Sequence, residues 1–306
     1  MRLGVVIVTH NRLNLLQECV NACLSQTIKF SKIVIVDNAS TDGTRGYLKS
    51  VNGINGVFLK NNIGGAGGFY EGLKSLSLGE LDYVLFIDDD AILEKKYNEK
   101  ISPFLTGEQD AFSGTVLTDG NIQYEHRRFL SENFGQRNST KENYVGRFFD
   151  YDLATFCGLY VSTKLIEKIG LPRKDFFIWF DDTEYSIRIS RFCKIRNIND
   201  AKLNHKTVLS QELGYSWKSY YSIRNQYVVI KAYFPRELLK YRLKCYLRII
   251  GGVVLAIVKR DKYYKNVSNM YKDAIFDAKY GRMGINKKYV FGYDLRGKDE
   301  DSICRR

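Results

Sequence analysis

Three adjacent aspartates, Asp88, Asp89 and Asp90, end the apolar run YVLFI at 83–87. Neighbouring like charges repel one another, so something must neutralise them. In an extended or turning segment alternate side chains point the same way. Asp88 and Asp90 can then converge on one ion, while Asp89 turns elsewhere, toward a ribose hydroxyl or a backbone donor. Two hard carboxylates, with diphosphate oxygens and water, suit Mg²⁺ or Mn²⁺; a plain polar strand end with a helix-capping Asp is the simpler alternative. Upstream, NNIGGAGGF (61–69) carries Gly64, Gly65, Gly67 and Gly68. Glycines allow backbone to approach a ligand closely, and a tight strand-to-helix turn would use them equally. The run lacks the Lys and Ser/Thr of a P-loop and follows a third strand, so it is neither that loop nor a dinucleotide fingerprint. Alongside the aspartates it is expected to floor a sugar-diphosphate. Downstream, FFIWFDDTEYSIR (176–188) passes from aromatic residues into a helix opening at Asp181 or Asp182.

The elements that must position these groups follow from hydrophobic patterning. LGVVIVT (3–9), KIVIVD (32–37), GVFLK (56–60) and YVLFID (83–88) read as short strands buried on both faces. Helical patterns fall at 13–24, after the polar turn near 40, and at 66–78. Such alternation predicts an α/β layered fold with a mainly parallel sheet. The strand ends carry THNR, DNASTDGT, NNIGG and DDDA. Open parallel sheets bind ligands outside their carboxyl ends, so the four polar clusters are expected along one edge. From about Ala91 to Asp150 the pattern loosens, and ENFGQRNSTKENY (132–144) reads as a surface loop. DLATFCGLYVS (152–162) is strand-like again, and a helix is expected over 220–234.

Composition bounds the rest. The 306 residues are 44% hydrophobic and 26% charged, an ordinary globular balance. Six cysteines without CxxC spacing read as free thiols in a reducing compartment, and the opening MRLGVVIVTHNR has no signal-peptide pattern, so the expected location is cytoplasmic. The net charge of +13 is uneven, since residues 231–306 hold 19 Lys and Arg against 8 Asp and Glu. A basic tail is expected to meet something anionic. Arg236, Lys240, Lys244 and Arg248 form one stripe of a helix, and Leu239, Leu243, Tyr246 and Ile250 another. That pairing suits a helix lying in the headgroups of an anionic membrane or packed on a second subunit. IIGGVVLAIV (249–258) is too short to span a bilayer, and no nucleic-acid module is recognised.

VVIVTHNR, VIVDNASTDGT, NNIGGAGGF, FIDDDA and FIWFDDTEYSIR, in this order, resemble the family 2 inverting glycosyltransferases with a GT-A fold, from Leu3 to about Pro235. Within that family the motifs are most similar to bacterial galactofuranosyltransferases and rhamnosyltransferases, which build cell-envelope polysaccharides. The resemblance implies a GT-A catalytic domain over 1–234, with a nucleotide-binding half (1–90) and an acceptor-binding half (91–234), followed by a basic helical region (235–306). It implies that Thr9 and Arg12 lie along the nucleotide and diphosphate, that Asp37 recognises the base, and that Asn62 and Asp89 touch the donor. Asp88 and Asp90 would hold the metal, with His205 as a third ligand. Asp182 would be the base that deprotonates the acceptor hydroxyl, preferred to Asp181 on the resemblance alone. Trp179, Asp181 and Glu184 would meet the acceptor, and the Arg-Asn pair of YYSIRN (220–225) either lies near it or only packs a helix. The implied reaction uses Mn²⁺ or Mg²⁺ and a nucleotide sugar, UDP-galactofuranose first and dTDP-rhamnose second. The implied acceptor is a lipid-linked glycan or polysaccharide, met at the inner face of the cytoplasmic membrane. Nucleotidyl transfer and a non-catalytic nucleotide-sugar sensor are the competing classes.

Overall fold

Val5, Val6, Ile7 and Val8 are all buried, as a strand covered on both faces requires. They belong to β1 (Leu3–Thr9), flanked in parallel by β2 (Lys32–Asp37) and β4 (Tyr83–Asp88), with β3 (Asn55–Phe58) beyond β2. Val5 and Ile7 pack with Leu16, Cys19 and Val20 of α1 (Leu13–Leu24). Val6 and Val8 face the other way, onto Phe69 and Leu73 of α3 (Gly64–Lys74). α2 (Thr44–Ser50) links β2 to β3. This computed structural model describes residues 1–206 and 214–296. Cys304 and the rest of the tail from 297 lie outside the described residues.

The sheet is mixed rather than mainly parallel. After β5 (Ala91–Leu93) and α4 (Tyr97–Ile101) come β6 (Ala111–Thr118), β7 (Asn121–Ile122), β8 (Arg127–Leu130), β9 (Gln136–Asn138), β10 (Phe148–Tyr151), β11 (Leu153–Ala154) and β12 (Leu159–Ser162). α5 (Thr163–Ile169), α6 (Asp181–Ser190) and β13 (Ile195–His205) follow. The main order is β10-β13-β6-β12-β4-β1-β2-β3, with β12 antiparallel to β4 and β6. β11, β8 and β9 make a small second sheet. The stretch over 91–150, where the sequence pattern loosens, holds the strands β5 to β9 and the start of β10, joined by turns and short helices. Its pattern was hidden because β6 buries polar residues: Ser113 Oγ donates to Asn197 Oδ1 at 3.1 Å, and Thr115 Oγ1 to the Asn199 carbonyl at 2.9 Å. Buried hydroxyls satisfied by a neighbouring strand do not look like a core in sequence.

The glycine run also differs from expectation. Most of it is the first turns of α3, and a Cβ at Gly68 would sit 2.4 Å from Val8 Cγ1, one at Gly72 2.4 Å from Val6 Cγ1. Those two glycines let the helix lie close on β1. Gly64 takes the turn at φ +78°, and a Cβ on Gly65 would meet open space.

The chain divides into two compact units. The first contains 1–131, 135–174 and 181–206; the second contains 132–134, 175–180 and 214–296. The second is helical: α7 (Trp217–Tyr233), α8 (Leu238–Lys259) and α9 (Lys262–Lys279). Its core is rich in tyrosine, with Tyr220, Tyr221, Tyr227 and Tyr289 around Met270, and the Tyr220 and Tyr289 rings stack at 4.5 Å. α7, which the sequence pattern left with the catalytic part, packs within this unit. Among the described residues no helix is long and apolar enough to cross a membrane.

Candidate active site

Strand register builds the site. Val8 pairs with Asp88 across β1 and β4, so Thr9 falls beside Asp89, and its hydroxyl donates to Asp89 Oδ2 at 2.7 Å. At β1 the strand order reverses, with β2 and β3 added on one side and β4 on the other; an open α/β sheet leaves its ligand crevice at such a point. Arg12, immediately before α1, donates through Nη1 to Asp89 Oδ1 (3.1 Å) and Asp90 Oδ2 (2.7 Å). β13 ends at His205, opposite Ala91 of β5, and His205 Nε2 lies 3.2 Å from Asp90 Oδ1. The Lys206 N–H donates to the Asp90 carbonyl at 2.8 Å.

Arg12 is thus a neutraliser of the aspartates, from 77 residues upstream. The expected alternation does not hold, because Asp89 and Asp90 form a turn after β4 rather than a continued strand, and both face Arg12. The three carboxyls are electrostatically distinct. Burial, then Asp90, Asp89 and Asp181, push Asp88 well above the usual carboxylate range. Burial raises Asp89 to about 6, against the opposing pull of Arg12 and Thr9. Burial would raise Asp90 too, but His205 and Arg12 outweigh it and hold it low.

Among the described residues no three His, Cys, Asp or Glu side chains stand in a metal-holding arrangement. The donor set nevertheless suits a hard cation. Asp90 Oδ1 is buried without an aligned hydrogen-bond donor, and Asp88 and His205 lie beside it as oxygen and imidazole donors.

Asp37 and Asn62 shape the neighbouring loops. Asp37, fully buried, accepts from the Ser40 N–H at 2.8 Å and from Arg45 Nε at 3.3 Å. Asn62 Oδ1 accepts from the Gly64 N–H at 2.8 Å, which closes the turn into α3.

α6 brings the second pair of carboxylates. Tyr185, one turn into the helix, packs its ring on Phe86 of β4 (5.5 Å) and on Phe156 (6.0 Å), which sets the helix start beside the end of β4. Asp181 is buried, and burial with Asp182 as a like-charged neighbour raises it to about 8. Asp182 is raised by burial, while Arg128 and hydrogen bonds from Thr183 pull it back. Thr183 holds Asp182 Oδ1 through its N–H and its hydroxyl, the latter at 3.0 Å, and Arg128 Nη2 donates to Thr183 Oγ1 at 3.0 Å. Glu184 departs from expectation: it is buried, with Oε2 bonded to Arg188 Nη2 at 2.8 Å. The same guanidinium holds the Ile169 and Leu171 carbonyls, so Glu184 serves the anchoring of α6 rather than an acceptor. Trp179 belongs to the second unit and is 43% exposed.

The model for Glycosyl transferase family 2 matches residues 4–170, from β1 through α5. The chain belongs to that family. This glycosyltransferase is 23% identical over 242 residues to the dTDP-rhamnosyl transferase RfbF of Shigella flexneri, covering 76% of the chain and 81% of the relative. It is 26% identical over 201 residues to the UDP-Glc:alpha-D-GlcNAc-diphosphoundecaprenol beta-1,3-glucosyltransferase WfaP of Escherichia coli, covering 64% and 73%. Among solved structures it is similar to S. aureus TarS 1-349 in complex with UDP-GlcNAc, with a TM-score of 0.54 at 17% identity over 75% of this chain and 66% of that one. The glycosyltransferase therefore has the GT-A fold that its motifs implied.

Sequence reasoning singled out none of several further residues around the glycosyltransferase's site. Asn38, buried at the end of β2, accepts from the Ile63 N–H and donates to the Gly64 carbonyl, both at 2.9 Å, which ties the β2 and β3 loops together. Arg128 and Thr183 frame Asp182 from different elements. His126 accompanies His205 ring to edge at 5.1 Å, and its Nδ1 meets Thr155 Oγ1 at 2.7 Å. Asn38 lies inside the polar cluster DNASTDGT and Thr183 inside FIWFDDTEYSIR, while Arg128 and His126 lie in neither.

Proposed function

We propose that this glycosyltransferase moves a sugar, with inversion, from a nucleoside-diphosphate donor to a lipid-linked or polysaccharide acceptor in bacterial cell-envelope glycan synthesis. The convergence of Thr9, Arg12, Asp88, Asp89, Asp90 and His205 at the β1/β4 crevice, with Asp181 at the start of α6 close enough to raise Asp88, carries this reading. Asp88, Asp90 and His205 would hold Mn²⁺ or Mg²⁺, which stabilises negative charge on a leaving diphosphate when bound. Thr9 and Arg12 line the donor, Asp37 and Asn62 shape the loops that receive the nucleotide, and Asp89 orients Arg12.

Asp182 takes the proton from the acceptor hydroxyl as that oxygen attacks the anomeric carbon. Thr183 fixes the rotation of its carboxylate, and the Arg128 charge favours the ionised form that a base needs. Asp181, raised to about 8 by burial and by Asp182, has no such cation beside it, and Asp182 is preferred to it as the base.

The NNIGGAGGF and WFDD signatures favour UDP-galactofuranose as donor. A second reading, dTDP-rhamnose, is favoured by the similarity to the Shigella flexneri dTDP-rhamnosyl transferase over three quarters of the chain. Diphosphonucleoside release with Mn²⁺, measured in parallel with UDP-galactofuranose, UDP-galactopyranose, UDP-glucose and dTDP-rhamnose, separates the two. Release from the furanose alone supports the first; release from dTDP-rhamnose alone moves the protein to the second with the same residue roles. No release from any donor would overturn the catalytic assignment of the site.

The second unit supports a peripheral membrane location. On α8 the side chains of Leu239, Leu243, Leu247, Ile250, Val254 and Ile257 are exposed along one stripe, bordered by the exposed Lys240, Lys244 and Arg248. An apolar stripe with a basic border matches an anionic bilayer surface. Co-sedimentation with phosphatidylglycerol vesicles, lost in phosphatidylcholine and in Leu243→Glu/Ile250→Glu, is expected; equal binding by the double variant would refute it.

A further inference from the structure

Immediately before α6 the backbone enters the left-handed region at three bulky residues, Phe177 (φ +67°), Trp179 (+63°) and Phe180 (+68°). Non-glycine residues rarely adopt this conformation, and it persists only where the surroundings impose it. Within the second unit the imposing group is a buried pair on α7. Asn225 Nδ2 donates to the carbonyls of Phe176 (3.0 Å), Ile178 (3.1 Å) and Trp179 (2.8 Å). An amide nitrogen has two hydrogens, so one is shared between two of these acceptors. Arg224 donates through Nη2 to the Phe176 carbonyl (3.0 Å), through Nη1 to the Gly284 carbonyl (2.6 Å), and through Nε to Asn225 Oδ1 (3.0 Å), which fixes the amide's orientation. The Gly284 N–H in turn donates to the Asp175 carbonyl at 2.7 Å. Phe177 is drawn inward against the Tyr221 ring at 5.0 Å, while Trp179 stays outward and exposed.

A helix that only packs has no need to bury an Arg–Asn pair, since buried polar groups must be fully paired to be tolerated. Here the pairing goes largely to the carbonyls of one short segment, and that segment carries three left-handed non-glycine residues. We propose that Arg224 and Asn225 are positioning residues for acceptor recognition. They hold the 176–180 turn in its strained form so that Trp179 offers a fixed aromatic face to an acceptor sugar ring. A ring already held in place gives up less freedom on binding than a mobile one. The proposal rests on the reading of Trp179 as an acceptor residue, and it assigns a role to the Arg-Asn motif.

The test uses the full chain with Trp217→Phe, which leaves Trp179 as the sole tryptophan. Asn225→Ala is expected to raise acrylamide quenching of Trp179 severalfold while the thermal transition stays cooperative. With a GlcNAc-diphospho-alkyl lipid as acceptor probe, measured in the Trp217 parent because Trp179 is the residue varied, Asn225→Ala and Trp179→Ala should each raise acceptor KM about 5- to 20-fold. In Asn225→Ala, slow donor hydrolysis without acceptor should stay within about twofold. The double variant should be no worse than Trp179→Ala alone, because the clamp acts through the ring. Unchanged Trp179 quenching, additive KM effects, or an equal fall in donor hydrolysis would overturn the clamp. If Trp179→Ala itself left acceptor KM unaltered, the acceptor reading of Trp179 would fall, and this proposal with it. Should Asn225→Ala not fold, Arg224→Lys, which keeps the charge but loses the fork, is read in the same way.

Discussion

The two aspartates that open α6 should respond to the same substitution in opposite ways. Asp181, raised to about 8 by burial and by Asp182, is about nine-tenths protonated at pH 7. Asn is close in shape to a protonated carboxyl, so Asp181→Asn replaces the prevailing form with a near copy, and kcat should change by no more than about threefold. Asp182 is the carboxylate with a cation beside it, and Asp182→Asn removes the group that accepts the proton. Loss of a positioned base costs about 10²- to 10⁴-fold, or ~3–5 kcal/mol in the barrier. The Thr183 N–H can still donate to the new amide oxygen, so donor binding and fold should survive. Transfer and donor hydrolysis, each followed by nucleoside diphosphate release at pH 7 for both variants, make the comparison. A 10²-fold loss in Asp181→Asn with near-normal turnover in Asp182→Asn would refute the division of roles and move the base one residue upstream.

The same asymmetry predicts a stability profile. A carboxyl whose pKa is higher folded than unfolded holds a proton in the native state that the unfolded chain has already released. Stability attributable to Asp181 is therefore full below about pH 4, declines as pH rises toward 8, and is level above. Because Asp181→Asn removes that loss, its Tm relative to the parent should climb between pH 5 and pH 8 and then plateau. A Tm difference that is flat or falling across this range would show that Asp181 is not a buried, proton-holding acid.

Arg128→Gln should push the Asp182 carboxyl further up, since the guanidinium is what opposes its burial; the acid limb of the kcat–pH profile then moves to higher pH while donor KM stays put. Asp90→Ala should raise donor KM more than tenfold at saturating Mn²⁺, with little loss of fold, as Arg12 can still pair with Asp89. Gly68→Ala forces a Cβ to 2.4 Å from the stiff Val8 side chain and should cost on the order of 1–2 kcal/mol, an overpacking penalty partly offset by better helix propensity. Gly65→Ala, with open space around it, should leave Tm unchanged, so any rise in donor KM there reports ligand approach rather than unfolding.

The parts of this molecule that were legible from sequence are those where burial is symmetric and local. β1, β2, β4 and α1 fall where their apolar runs begin and end, because a strand covered on both faces has no polar position to confuse its pattern. β6 and β13 were not legible, because Ser113, Thr115, Asn197 and Asn199 satisfy one another in the interior, a solution visible only when both strands are known. Glu184 could have been placed: its spacing of four from Arg188 is that of a helical ion pair, and the acidic cluster around it drew the functional reading instead. The aspartate triplet is the instructive middle case. Its sequence states that a compensating charge must exist, since three carboxyls cannot share a strand end otherwise. Which charge is a question of register, settled when Val8 pairs with Asp88 and carries Thr9 and Arg12 alongside. Electrostatic necessity can be read from one segment; the residue that meets it belongs to another, and only the fold makes them neighbours.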